Sequence, residues 1–187
     1  RQLCYAQVRR DQLFGGGCAR RNHAVEVPAF AGTAWSTRER IYPSIAVFDA
    51  LLDEGIKRSE AEVFVTDYYR WRSQGMASKI KAIFRIPGLY KTVPKFFFSL
   101  SQKSFGPKAG FSCENQHIGK GEMSFDMTVC PYHEKCVHYG CPEIVKGFCD
   151  ADDICYGDMH PKISWDRTKT IGHGDDICDF KVHIKEN

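Results

Sequence analysis

The chain has 187 residues, 43% hydrophobic and 26% charged, which suits one globular domain and excludes a fibrous or disordered chain. A net charge of +3 falls short of the excess that marks nucleic-acid binding, and no helix-turn-helix, RNA-recognition or zinc-finger pattern accompanies it. No apolar run approaches the roughly 20 residues that span a bilayer, and no apolar leader opens the chain, so a cytoplasmic protein with reduced thiols is expected, without a nucleic-acid or membrane partner.

Residues 1–42 read as an N-terminal extension. Gly15-Gly16-Gly17, Pro28 and Gly32 break any period, and no Gly-Lys-Ser/Thr follows the triple glycine, so it is not a phosphate loop. Residues 43–187 read as a single α+β domain. Ile45, Phe48, Leu51 and Leu52 recur at helical spacing until Gly55. Ser59-x-x-Glu62 resembles a capping box, and the helix it opens is expected to end near Gly75. A separate helix through Ile80, Ile83 and Phe84 stops at Pro87-Gly88. Phe96, Phe97 and Phe98 lie in a basic, aromatic stretch expected to pack as a helix against the core.

Beyond Gly106-Pro107 the period becomes two. Strands are expected over 111–118 and 122–129; in the second, Met123, Phe125, Met127 and Val129 share one face, while Cys130 falls on the other face with Ser124, Asp126 and Thr128. Two short helices follow over 131–139 and 142–156, then strands over 163–170 and 177–184 around a tight turn at Gly172–Asp175. The order is helices, then β-β-α-α-β-β, which predicts N-terminal helices packed on a mainly antiparallel sheet.

The last third carries the chemistry. Six of the nine cysteines lie between Cys130 and Asp179, with four histidines and a run of aspartates. Cys136-x4-Cys141 is the nearest pair, but the Cys-x2-Cys spacing of structural zinc is missing, so no metal ligands are assigned and zinc is left open. Cys130 precedes Pro131 at a helix start, where backbone N–H groups favour a thiolate. Cys149 and Asp152 share a helix face, a pairing suited to acid–base work. Cys178 alternates with Phe180 and Val182 and reads first as a core cysteine.

Cys130-Pro131-Tyr132, Tyr139-Gly140-Cys141-Pro142-Glu143, Phe148-Cys149-x-x-Asp152 and Arg167-Thr168-x-Thr170, with Gly174-Asp175-Asp176-x-Cys178-Asp179-Phe180, resemble the L-2-amino-thiazoline-4-carboxylic acid hydrolase family over roughly residues 110–184. The resemblance implies a hydrolase that opens a cyclic C–N bond in a small carboxylic acid, yielding an N-carbamoyl amino acid. Cysteine-dependent catalysis would draw on Cys130, Cys149, Asp152 and Cys178. Arg167 would clamp the substrate carboxylate, with Thr168 and Asp175 beside it. Gly174-Asp175-x-x-Cys178-x-Phe180 also looks like the end of vinyl-reductase-type ligand-binding domains, some of which hold zinc. The alternative is thus a non-catalytic binding domain, with Phe96–Phe98 as pocket wall; a thiol redox protein is a third option, and a homo-oligomer is left open.

Overall fold

The computed structural model describes residues 37–186. A π-helical turn at Thr37–Ile41 leads directly into α1 (Tyr42–Asp53), where Pro43 sits in the first turn and needs no hydrogen-bond partner for its nitrogen. Residues 1–36, including the triple glycine, lie outside the described residues. Glu39–Tyr42 do not: Ile41 is fully buried and Tyr42 nearly so.

One long helix, α2 (Arg58–Phe84), stands where sequence patterning predicts two. Gly75 does not end it. Glycine inside a helix costs about 1 kcal/mol relative to alanine, but packing overrides local propensity. That packing comes from α5 (Val145–Tyr156), which lies along α2 and approaches it closely at Gly147. A Cβ on Gly147 would meet the Thr66 backbone at 3.0 Å. α3 (Val93–Ser104) is the expected aromatic helix.

The sheet is antiparallel, in the order β1-β2-β4-β3, where β1 is Ser112–Ile118, β2 Glu122–Val129, β3 Ile163–Asp166 and β4 Cys178–Ile184. Between β2 and β3 run α4 (Pro131–His138), a 3₁₀ turn at Pro142–Ile144, and α5. The α+β class and the segregated order follow the sequence reading. β3 is shorter than the expected 163–170 for a local reason. The Asp179 carboxylate accepts hydrogen bonds from the backbone N–H groups of Thr168 (2.8 Å) and Lys169 (2.6 Å), taking two amides that a longer strand would have given to its ladder.

Two cores form. The first gathers Ile41, Ile45, Phe48, Ala61, Ile144 and their neighbours between α1, α2, α4 and the start of α5. The second lies between α3 and the inner face of the sheet, around Val93, Phe111, Met123, Phe125 and Val182. Each large apolar side chain buried in them contributes about 1.5–3 kcal/mol. Tyr132, at the start of α4, packs against both. No helix among the described residues is long and apolar enough to cross a membrane.

Candidate functional site

A cavity with about 110 Å³ of internal space occupies the seam between the two cores, room for several waters or one small ring compound. Its floor is the apolar face of β2, with Met123, Phe125 and Met127, beside Cys178 and Phe180 of β4. α3 contributes Phe97, Leu100 and Ser101. α5 contributes Val145, Phe148, Cys149, Asp152 and Tyr156, all on one helical face by their three- and four-residue steps. The walls are therefore largely aromatic, and polar groups concentrate where α4, α5, β3 and the turn before α1 meet.

Cys130 reaches this cavity by a route that strand alternation does not describe. β2 ends at Val129, and Cys130 is the N-cap of α4, so the chain turns and brings the thiol to the side of Met127. The backbone N–H groups of Tyr132 and His133 support a negative sulfur there, as the helix start predicts, but burial dominates and pushes the Cys130 thiol up to about 11. At neutral pH only about one molecule in ten thousand carries the thiolate. Burial likewise pushes Cys149 up to about 12, with the neighbouring Cys178 and Cys130 adding to the effect and the Arg167 charge opposing it. Cys178 is 4% exposed, receives a hydrogen bond from the Ile171 N–H (3.2 Å), and is raised chiefly by burial. It is both a core residue and part of the cavity floor.

Asp152 lines the cavity and keeps 43% of its side-chain surface open. Enclosure raises its carboxyl to about 6 against the pull of Arg167. Arg167 itself is 1% exposed. Its Nη2 donates to the Cys149 carbonyl (2.6 Å) and to Asp153 Oδ2 (2.6 Å), and its Nη1 stands 3.6 Å from Asp152 Oδ2. The guanidinium lies 5.2 Å from the Phe180 ring centroid, and Trp165 Nε1–H donates to the other Asp153 oxygen (2.8 Å). Burial works against the arginine's charge, but the two aspartates outweigh it and hold it firmly ionised. Its Nε is buried without a hydrogen-bond partner.

Arg40 belongs to the same site, and sequence reading places it in the arm. It lines the cavity, and its Nε, like that of Arg167, is buried without a hydrogen-bond partner among the described residues. Its backbone carbonyl accepts hydrogen bonds from Ser44 Oγ (2.7 Å) and Tyr69 Oη (3.2 Å), which fixes the turn that carries it. Its charge acts on Asp152. The signal was present in the dense arginines ahead of α1, but the absence of a period there hid that the chain turns inward.

Thr168 and Asp175 lie outside the cavity lining. Thr168 Oγ1 donates to Asp179 Oδ2 (2.7 Å), and Asp175 Oδ2 accepts from the Thr170 N–H (2.8 Å), so both shape the connection between β3 and β4. That connection matters to the site through Gly172, since a Cβ there would fall 2.5 Å from Cys149 Sγ. Of Phe96–Phe98, Phe97 alone lines the cavity, and Phe96 is exposed. Cys136 and Cys141 sit apart, fully buried in the helical core, where a thiol–thiol hydrogen bond and then burial raise Cys136. All seven cysteines among the described residues are free thiols, and no group of three or more His, Cys, Asp or Glu side chains among those residues is placed to hold a metal ion.

A sequence model of the L-2-amino-thiazoline-4-carboxylic acid hydrolase family matches residues 36–182, from just before Arg40 into β4. No curated protein matches the chain. A solved structure, the trafficking protein particle complex subunit 3 from Naegleria fowleri covalently bound to palmitic acid, aligns over 80% of this chain and 97% of its own at 11% identity, with a TM-score of 0.37.

Proposed function

The chain belongs to the L-2-amino-thiazoline-4-carboxylic acid hydrolase family, and we propose that it opens the ring of a small cyclic isothiourea-type acid by cysteine-dependent hydrolysis in the seam cavity. The observation that carries this reading is the convergence of Cys130, Cys149, Asp152, Arg167 and Arg40 at the polar end of one enclosed space.

The substrate has two charged ends in this reading. Its carboxylate takes the unpartnered Nε donors of Arg40 and Arg167. Its cationic ring amidine then faces Asp152 and Cys130. Asp152, ionised above about pH 6, accepts the thiol proton and passes it to the ring. Cys130 Sγ forms a bond to the ring carbon, supported by the Tyr132 and His133 N–H groups. The C–S bond of the ring at that carbon breaks, the ring sulfur leaving as a thiol with the proton. Water then attacks the same carbon and releases the enzyme sulfur, leaving an N-carbamoyl group on the retained ring nitrogen, so the bond cleaved is C–S and not the C–N bond first expected. The bound cation lowers the thiol pKa, so the nucleophile forms only when substrate is present. Moving that pKa from about 11 to about 7 asks for about 5.5 kcal/mol, within reach of an opposite charge in an enclosed site.

The aromatic walls favour a second reading, a non-catalytic domain that binds a small apolar ligand. Turnover separates the two. The hydrolase reading expects 2-aminothiazoline-4-carboxylate to be converted to the N-carbamoyl acid, with a rate that climbs through about pH 6. Saturable binding of that acid without product at any pH would support the binding domain and end the hydrolase reading.

A further inference from the structure

We propose that α2 is a self-association surface, and that two copies pair antiparallel along it about a two-fold axis through Trp71. This is independent of the chemistry proposed for the cavity.

The inner face of α2 is accounted for by Ala61, Val65, Tyr69 and Ser73, buried at every fourth residue. Among the described residues the outer face has no partner. Val63 (55% exposed), Phe64 (58%), Tyr68 (48%) and Trp71 (70%) form a shallow apolar surface there, edged by Glu60 and Asp67. Four large apolar side chains, three of them aromatic, thus lie exposed side by side on one helix, a composition enriched at interfaces.

The second half of the same face has the opposite character. Helical spacing carries the line of Phe64 and Trp71 on to Gly75, Ser78 and Ala82, all small and exposed. A Cβ on Gly75 would meet nothing within 4 Å. Charge divides the helix the same way. Residues 72–84 hold Arg72, Lys79 and Lys81 and no acid, while all three acids of the helix, Glu60, Glu62 and Asp67, lie in the first half with Arg58 and Arg70, which pair with Glu143 and Asp67.

These two asymmetries select one occupant. Trp71 is the middle residue of the 27 in α2, so a two-fold axis at that point lays each half of one helix over the other half of its copy. Phe64 then faces Ser78 of the second copy, Asp67 faces Gly75, and Glu60 comes within a turn of Lys79. Phe64 thus meets a small residue, the two Trp71 side chains meet each other at the axis, and the acid-bearing half meets the basic half. Among the described residues neither Glu60 nor Lys79 makes an ion pair within the chain, so both are free to do so across the axis. A helix of this length presents about 40 Å of contact.

Sedimentation velocity on the full chain across micromolar concentrations tests this. The wild-type protein is expected to reach a mass near twice 21.3 kDa. Trp71→Glu is expected to weaken association by at least about thirtyfold, since it places a charge at the centre of the contact. Gly75→Leu is the check on folding: its side chain enters open space in a single chain but blocks the approach of a second helix. Glu60→Lys should weaken association and Glu60→Lys with Lys79→Glu should restore it. A wild-type monomer at every concentration overturns the proposal, and so does a dimer that Gly75→Leu and Trp71→Glu, both folded by circular dichroism, leave unchanged.

Discussion

The two cores bury cysteines of the same chemical kind to different ends. In the helical core the space is filled: Ile41, Ile45, Phe48, Cys136, Cys141 and Ile144 have no exposed surface, and the two thiols there answer each other. At the seam with the sheet core the space is not filled, and Cys130, Cys149 and Cys178 face it together with an aspartate and two arginines. Burial alone therefore does not separate the two sets of thiols. What separates the two sets is unfilled volume and the company of charged groups, which a packed core excludes.

That contrast breaks most sharply on activity. Cys130→Ser is expected to lower turnover by about a hundred- to ten-thousandfold with the melting temperature nearly unchanged. Cys136→Ser is expected to do the reverse, lowering stability while each folded molecule keeps its rate. Steady-state rates normalised to folded protein measure both. Next in size is the cost of truncation. Phe48→Ala should cost about 3–5 kcal/mol in urea unfolding, whereas Met127→Ala, whose side chain already borders empty space, should fall near the low end of about 2 kcal/mol.

Glycines sharpen the comparison further. Gly172→Ala drives a Cβ to within 2.5 Å of Cys149 Sγ and 3.0 Å of Val145 Cγ1, and should cost about 1–3 kcal/mol while displacing a cavity thiol. Gly75→Ala, whose Cβ meets no described atom within 4 Å in the single chain, should instead stabilise the monomer by about 0.4–1 kcal/mol. Denaturant midpoints of the two variants should therefore move in opposite directions.

Stability is also expected to depend on pH. Enclosure raises the Asp152 carboxyl to about 6 in the folded chain, above its ordinary value of 3.8. Its contribution to stability is present below the ordinary value and is lost as pH rises through about 6. The melting temperature of Asp152→Asn relative to wild type should consequently increase between pH 4 and pH 8, although the variant loses activity. A difference that stays flat with pH would mean that Asp152 is solvated like a surface carboxylate.

Much of the fold was legible because its periods are clean. Met123, Phe125 and Met127 alternate with polar residues and form the inner face of β2. Cys149 and Asp152, three residues apart, do share a face of α5. The failures each have a local cause. Gly75 reads as a helix end, yet packing of α2 along α5 carries the helix through it. Cys130 falls outside strand parity because parity stops at Val129. Arg40 was hidden in a stretch without period, and Asp179 shortened β3 through side-chain hydrogen bonds that no pattern of hydrophobicity encodes.

The account rests on Cys130 at the seam being the atom that attacks. Mass spectrometry of the intact protein, quenched in acid during turnover of 2-aminothiazoline-4-carboxylate and then mapped by peptide, tests it directly. The account predicts a substrate-derived adduct on the peptide carrying Cys130, present in Cys136→Ser and lost in Cys130→Ser together with product. Product formation at the wild-type rate by Cys130→Ser, or an adduct confined to Cys136 or Cys141, would contradict it.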